Sequence, residues 1–325
     1  MTKFDPEQPP TPIFIIGVHR SGTTLLRFIL SSHPHIYIPP ESDFIPKYFL
    51  KSPTQILGLD DVQRMLSEIF SSYRFVKEWK SEFPDPQNFY ASMPASTPQG
   101  FLTHLYSLYA GQYHALRWGD KTPIYTSYLD LLFQIFPGAA FIHILRDPRD
   151  AAVSLLEKYQ TREFHVDIYF AARNWVTRVQ KALSDAQRLP PAQYLEIRYE
   201  QLVSDPEKMI HRLCDFLGET FHPRMLHPEI AAQQLVPTDS YFFSNVRNPI
   251  NPDSIGRWRT DLSPEDTRLI QFVSGNLMRE LGYPLIDIGK MGAAEKLRLA
   301  SLQLKYETLQ RGRKVIQAVG LKPPI

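Results

Sequence analysis

The sequence predicts an α/β fold, a mostly parallel sheet with helices on both faces and a helical cap inserted into it. Three observations carry that expectation. Short apolar, β-favouring runs recur at Ile13–Gly17, Ile36–Ile38, Ala140–Leu145 and Tyr194–Ile197, and Arg117–Lys121 is expected to return to the same sheet. Stretches of helical periodicity separate them, long enough for the right-handed crossovers of a parallel sheet. Two of the runs, IFIIG and AFIHIL, are apolar almost without interruption, as strands buried on both faces are.

Taken in order, residues 1–11 are polar and proline-rich, an N-terminal segment expected to be disordered and lacking the apolar core of a secretory signal. Ile13–Gly17 breaks into a short loop, and Thr23–Ser32 reads as a helix with Leu26, Ile29 and Leu30 on one side. Ile36–Ile38 is ended by Pro39-Pro40. Residues ~45–115 combine aromatics, prolines and helical patterning, and are expected to form the cap. Further helices are expected over Ser127–Phe136, from Pro148 to about Lys158, and near 168–188, 205–217 and 264–281. The α/β domain is thereby expected over 12–288, followed at 289–325 by a basic amphipathic helix.

Composition narrows the function classes. With 325 residues and 43% hydrophobic content the chain can bury a sizeable core, which excludes intrinsic disorder. Lys+Arg total 36 against 34 Asp+Glu, so no polybasic surface and no nucleic-acid partner is expected. The single cysteine, Cys214, excludes an intramolecular disulfide framework and a multi-cysteine zinc site. No apolar run approaches the ~20 residues of a spanning helix. A cytoplasmic protein is expected.

Gly17-Val18-His19-Arg20-Ser21-Gly22-Thr23-Thr24 lies between a strand and a helix, where backbone N–H groups cradle a phosphate and the helix dipole favours it. The glycines have Walker A spacing, yet Thr23 stands where the phosphate-reaching lysine should follow, and the cation sits inside the loop as Arg20. The alternative is a tight βα turn with no ligand.

Ile13–Pro34 (IFIIGVHRSGTTLLRFILSSHP) resembles the 5′-phosphosulfate loop of sulfotransferases that use 3′-phosphoadenosine 5′-phosphosulfate (PAPS). It is most similar to the branch containing tyrosylprotein sulfotransferases, with His19 where proline is common. The resemblance covers roughly 12–45, 117–158, 193–218 and 245–285. It implies a P-loop-type sheet, PAPS as cosubstrate, and no metal. Cofactor contacts are implied for His19, Arg20, Ser21, Gly22, Thr23 and Thr24 in the loop. Arg146 and Ser154, eight residues apart across a strand end and the next helix, match the 3′-phosphate site. Tyr199, and Arg257 and Trp258 in Ile255-Gly256-Arg257-Trp258, match segments near the nucleotide.

For catalysis the resemblance implies Arg20 and Lys121 as cations on the sulfonate and bridging oxygen, and Glu41 as base, 21 residues after Arg20. A phenol with pKa about 10 needs such a base near neutrality. His19 and Asp43 are weaker base candidates, and His104 and His143 sit in apolar patterns typical of core residues. No carboxylate-and-histidine cluster stands out at metal-ligand spacing. The acceptor is a hydroxyl of a phenol, peptide tyrosine, glycan or small metabolite.

Residues 290–325 carry eight Lys/Arg against Glu295 and Glu307, with Leu299, Leu302, Tyr306, Leu309, Ile316 and Val319 near one face and Arg313 interrupting it. Such a helix packs on its own domain or a partner subunit, as in a homodimer, or lies on an anionic membrane surface. Two other functions stay open: a P-loop kinase or nucleotide hydrolase, and a catalytically silent nucleotide-binding protein.

Overall fold

The computed structural model describes residues 11–79, 82–159, 166–235 and 246–318. In chain order the elements are β1 (Ile13–Ile16), α1 (Thr23–Ser31), β2 (Ile36–Tyr37), α2 (Ile45–Phe49), α3 (Leu59–Phe70), α4 (Pro86–Ser92), α5 (Pro98–Gly111) and β3 (Arg117–Lys121). There follow α6 (Leu129–Ile135), β4 (Ala140–Leu145), α7 (Pro148–Lys158), α8 (Ile168–Ala186), β5 (Tyr194–Arg198), α9 (Tyr199–Ser204), α10 (Pro206–Leu217) and α11 (Pro228–Leu235). Last come α12 (Trp258–Asp261), α13 (Pro264–Glu280) and α14 (Ala293–Ala318). The strands form one parallel sheet in the order β2-β3-β1-β4-β5. Each strand expected from the sequence is present.

The chain divides into two compact units. The first draws on Met1–Val18, Gly22–Leu145 and Lys181–Pro252 and holds the sheet. Alternation along β1 sends Phe14 and Ile16 to one face and Ile13 and Ile15 to the other. On the first face Phe14 stacks on Phe141 at 5.5 Å and meets Trp118 edge-on at 6.1 Å. The cap helices α2–α5 close over that face with Phe49, Leu66, Phe101 and Tyr106. On the other face α1 and α10 bring Leu26, Ile29, Ile210 and Leu213 against Ile142 and Ile144. Each such fully buried side chain contributes about 1.5–3 kcal/mol. Because every strand runs the same way, their carboxyl ends share one edge, where ligands of open α/β sheets bind.

The second unit comprises His19–Ser21, Arg146–Gln180 and Asp253–Ile325. Ala152, Leu155, Ala172, Leu269 and Ile270 form its core, and Leu299, Leu302 and Tyr306 of α14 pack against it. Polar contacts tie α14 down as well: Arg268 to Glu295 at 2.8 Å, Arg298 to Asp266 at 2.8 Å and Lys305 to Asp167 at 2.9 Å. The apolar face of α14 is thus used within its own unit. Val319 and the side chains of Arg313 and Ile316 lie outside the described residues, as do residues 1–10 of the N-terminal segment. Among the described residues no helix is long and apolar enough to cross a membrane.

Candidate active site

The loop from Gly17 to Thr24 is shaped by two left-handed residues, Arg20 at φ 70° and Gly22 at φ 92°. At Gly22 glycine is required twice over: the φ disfavours any side chain, and a Cβ there would stand 2.4 Å from the Tyr199 ring. The loop's start is pinned by Thr126, whose hydroxyl accepts the Gly17 N–H at 2.8 Å and donates to the Gly17 carbonyl at 2.9 Å. Beyond it, the first-turn N–H groups of α1 have no acceptor within the helix and present partial positive charge.

In the first unit, β2 leads to Glu41 and β3 ends on Lys121. Lys121 Nζ donates to Glu41 Oε1 at 2.6 Å and lies 3.5 Å from Thr24 Oγ1. The ammonium is buried, which pushes its pKa down, while Glu41 acts the opposite way. Arg74, from the cap, donates to Glu41 Oε2 at 3.1 Å and also approaches Asp43 and Glu78, each at 3.7 Å. Burial opposes the Arg74 charge, but Glu41, Glu78 and Asp43 outweigh it and raise its pKa. The Trp79 indole N–H donates to the Glu41 carbonyl at 3.2 Å and fixes its backbone. Beneath this group Asp120 accepts from Ser42 at 2.7 Å and Tyr106 at 2.5 Å, and burial raises its pKa.

In the second unit, Arg20 Nε donates to Ser154 Oγ at 2.9 Å. Arg146 Nη1 donates to the Arg20 carbonyl at 2.8 Å and its Nη2 to the Ser254 carbonyl at 2.7 Å. Arg20, Arg146 and Ser154 are therefore gathered as the spacing suggested. Ser21 Oγ is buried with no hydrogen-bond partner among the described residues, an orphaned group of the kind a ligand satisfies. Asp150 accepts the N–H groups of Gly256 at 2.7 Å and Trp258 at 3.0 Å, seating residues 256–258 on α7.

Arg257 and Trp258, expected near the nucleotide, both have partners within their own unit. The Arg257 guanidinium is engaged by Glu157, and by Asp261 at 2.6 Å. Trp258 is buried between the guanidinium groups of Arg149 and Arg259, 3.9 and 4.4 Å from its ring centre. Ion pairing holds Arg257 and cation–π packing holds Trp258 in these positions. His143 is a core residue: it shares a 2.6 Å hydrogen bond with Tyr194, and burial pushes its pKa down to about 3. His104 packs edge-on against Phe89 at 4.5 Å. Sequence reasoning missed Arg74, which reaches Glu41 from 33 residues away, and Asp150, which stood in the Arg-Asp-Pro-Arg-Asp run without a role.

Comparison with known proteins follows the same lines. Residues 12–223 match the model of the sulfotransferase family. The chain is 27% identical over 280 residues to protein-tyrosine sulfotransferase A of Caenorhabditis elegans, covering 83% of this chain and 67% of that one. It is 26% identical over 258 residues to an uncharacterized protein of Aquifex aeolicus, covering 76% of this chain but 30% of that longer one. In fold it is similar to the sulfotransferase domain of the Synechococcus PCC 7002 olefin synthase, at 24% identity and TM-score 0.62, covering 88% of this chain and all of that domain. The chain belongs to the sulfotransferase family, and transfer of a sulfuryl group from PAPS to an acceptor hydroxyl is the activity that membership assigns to it.

Proposed function

We propose that the two clusters divide the work of sulfuryl transfer. Arg146 and Ser154 hold the 3′-phosphate end of PAPS, while Arg20, the loop N–H groups, Ser21, Thr23 and Thr24 hold its 5′ end. The residues present fit such a group: guanidinium, hydroxyl and helix-terminal donors suit phosphate oxygens, and the buried Ser21 hydroxyl awaits a partner. PAPS supplies the sulfuryl group and a good leaving phosphate. Lys121 and Arg20 stabilise the negative charge that develops on leaving, and Glu41 removes the proton from the acceptor hydroxyl. These side chains supply the whole catalytic charge balance of the proposal, which assigns no metal.

The observation that carries this reading is the Lys121–Glu41 ion pair beyond the carboxyl ends of β2 and β3. It joins a buried cation to the carboxylate at the base position. For the acceptor we favour a tyrosyl or other phenolic hydroxyl, because relatives named protein-tyrosine sulfotransferases match 83% of the chain. The lone, buried Cys214 suits a reducing compartment, and we place the enzyme in the cytoplasm.

A P-loop kinase is disfavoured by Thr23 at the Walker lysine position. The test is a thermal-shift comparison of adenosine 3′,5′-bisphosphate with ATP, followed by assay of labelled sulfuryl transfer from PAPS to a tyrosine peptide. Saturation near 100 times Kd stabilises by about 2.7 kcal/mol. The reading predicts that shift for the bisphosphate and little for ATP; the reverse order would overturn it.

A further inference from the structure

At the opposite edge of the sheet, where the strands begin, the turn between α1 and β2 carries His33-Pro34-His35 and the turn after α10 carries Glu219 and His222. Folding brings together residues that lie 184 positions apart in the sequence, His35 and Glu219. One ring nitrogen of His33, one of His35 and a carboxylate oxygen of Glu219 all lie within 4.8 Å of one another. Sequence spacing alone does not bring these donors together; the fold does.

The surroundings orient these donors. Glu219 Oε1 accepts from Arg117 Nη1 at 3.0 Å, and Oε2 lies on the His35 side, 3.9 Å from Nδ1. His33 is buried; its Nδ1 accepts the His35 backbone N–H at 3.2 Å, so Nε2 carries the proton and donates to the Thr220 carbonyl at 2.9 Å. A histidine donating its second nitrogen to a carbonyl, beside a carboxylate fixed by its own partner, has the outer bonding typical of metal-ligating groups. The His222 ring stands 6.3 Å from that of His33, nearly perpendicular, with Nδ1 taken by the Arg224 N–H and Nε2 on its other side. The Glu219 side chain is 7% exposed and that of His35 56%, so a pre-set pair is joined by one mobile arm facing solvent.

We propose that His33, His35 and Glu219, with His222 as fourth donor, form a binding site for a divalent transition-metal ion of the zinc type. Imidazole and carboxylate together suit zinc and its neighbours, whereas magnesium and calcium prefer all-oxygen sets. Donors at ~2.1 Å from a tetrahedral ion lie about 3.4 Å apart. The donors, within 4.8 Å of one another, must therefore close by up to about 1.4 Å, which rotation of His35 supplies, and the 3.2 Å bond to His33 Nδ1 gives way to the ion. The positive charge of Arg117 opposes the ion, and its pairing with Glu219 limits that cost. β3 carries Arg117 at its start and Lys121 at its end, about 13 Å apart at strand rise. The ion thus ties the α1–β2 turn to the turn after α10, and its role is structural rather than catalytic.

The test is calorimetric titration of the untagged, chelator-stripped chain with ZnCl2, with MgCl2 as the contrast. One saturable zinc equivalent per chain, a melting temperature raised by a few degrees and no response to magnesium are expected. His35→Ala removes an exposed side chain and should weaken zinc binding at least tenfold while leaving the metal-free melting temperature unchanged. Absence of saturable zinc binding, or equal affinity in His35→Ala, would overturn the site.

Discussion

Lys121 Nζ lies 2.6 Å from Glu41 Oε1, so the proposed base and the proposed cation form an ion pair, with Arg74 on the carboxylate's other oxygen at 3.1 Å. A carboxylate held at both oxygens is a weak base. In the proposed reaction Lys121 turns to the charge developing on the transferring group, which frees Oε1 for the acceptor proton. Glu41→Gln keeps the shape and one hydrogen bond to Lys121 but cannot take a proton. Its kcat should fall about 10²–10⁴-fold, with Kd for adenosine 3′,5′-bisphosphate changed by less than about threefold. Steady-state kinetics beside calorimetry checks it, and undiminished turnover would remove Glu41 from the chemistry.

Arg74 should set the pH at which that base works. It faces Glu41, Asp43 and Glu78, so its removal leaves three carboxylates facing one another with one fewer cation. The sign is fixed: losing a neighbouring positive charge raises a carboxylate's pKa. In Arg74→Gln the acid limb of the kcat/KM profile should move to higher pH, by an amount that partial exposure keeps small. A profile that keeps its acid limb and loses only amplitude would assign Arg74 to cap packing instead.

For the second cluster, Arg146→Ala removes a guanidinium that donates to the Arg20 and Ser254 carbonyls. Charge-assisted bonds of this kind are worth about 1.5–3 kcal/mol, so affinity for adenosine 3′,5′-bisphosphate should drop about 10- to 150-fold. Ser154→Ala loses one neutral hydroxyl partner of Arg20 and should cost only a few-fold. Calorimetric Kd values for the two variants in the reverse order would contradict the assignment.

Gly22→Ala should destabilise the chain by about 1–3 kcal/mol, since φ 92° and the Tyr199 ring at 2.4 Å both oppose a Cβ. Adding Tyr199→Ala in the same chain relieves the contact but not the backbone strain. Denaturant unfolding of the double variant against Tyr199→Ala alone should therefore show a smaller penalty than Gly22→Ala alone.

His143 makes stability fall in acid. Its folded pKa is about 3 against 6.5 ordinarily, so between those values the unfolded chain binds a proton that the native chain refuses. Stability then rises with pH through that window, by at most about 1.36 kcal/mol per unit, and is lost as pH drops from about 6.5. His143→Gln can still bond Tyr194 and does not titrate; its unfolding free energy should vary less between pH 4 and 7.

Much of this was legible in the chain. Local rules acted where neighbours in sequence are neighbours in space: apolar runs gave most of the strands, Gly17 to Thr24 gave the loop, and the helix after Arg146 carries Ser154 to the Arg20 side chain. The same rules were silent on the long-range partners of Arg257 and Trp258: Glu157 and Arg149, about 100 residues earlier, meet them only in the fold.

The sequence by itself determined a parallel α/β sheet, a strand–loop–helix turn with Walker A glycine spacing but no Walker lysine, and membership of the sulfotransferase family. Only the tertiary structure decided the strand order, the placing of Arg74 on Glu41, and the meeting of His33 and His35 with Glu219. The physical reason is that patterning and turn chemistry act over a few residues. Which charges finally share a dry corner depends on how distant elements pack, and no short stretch of chain encodes that alone.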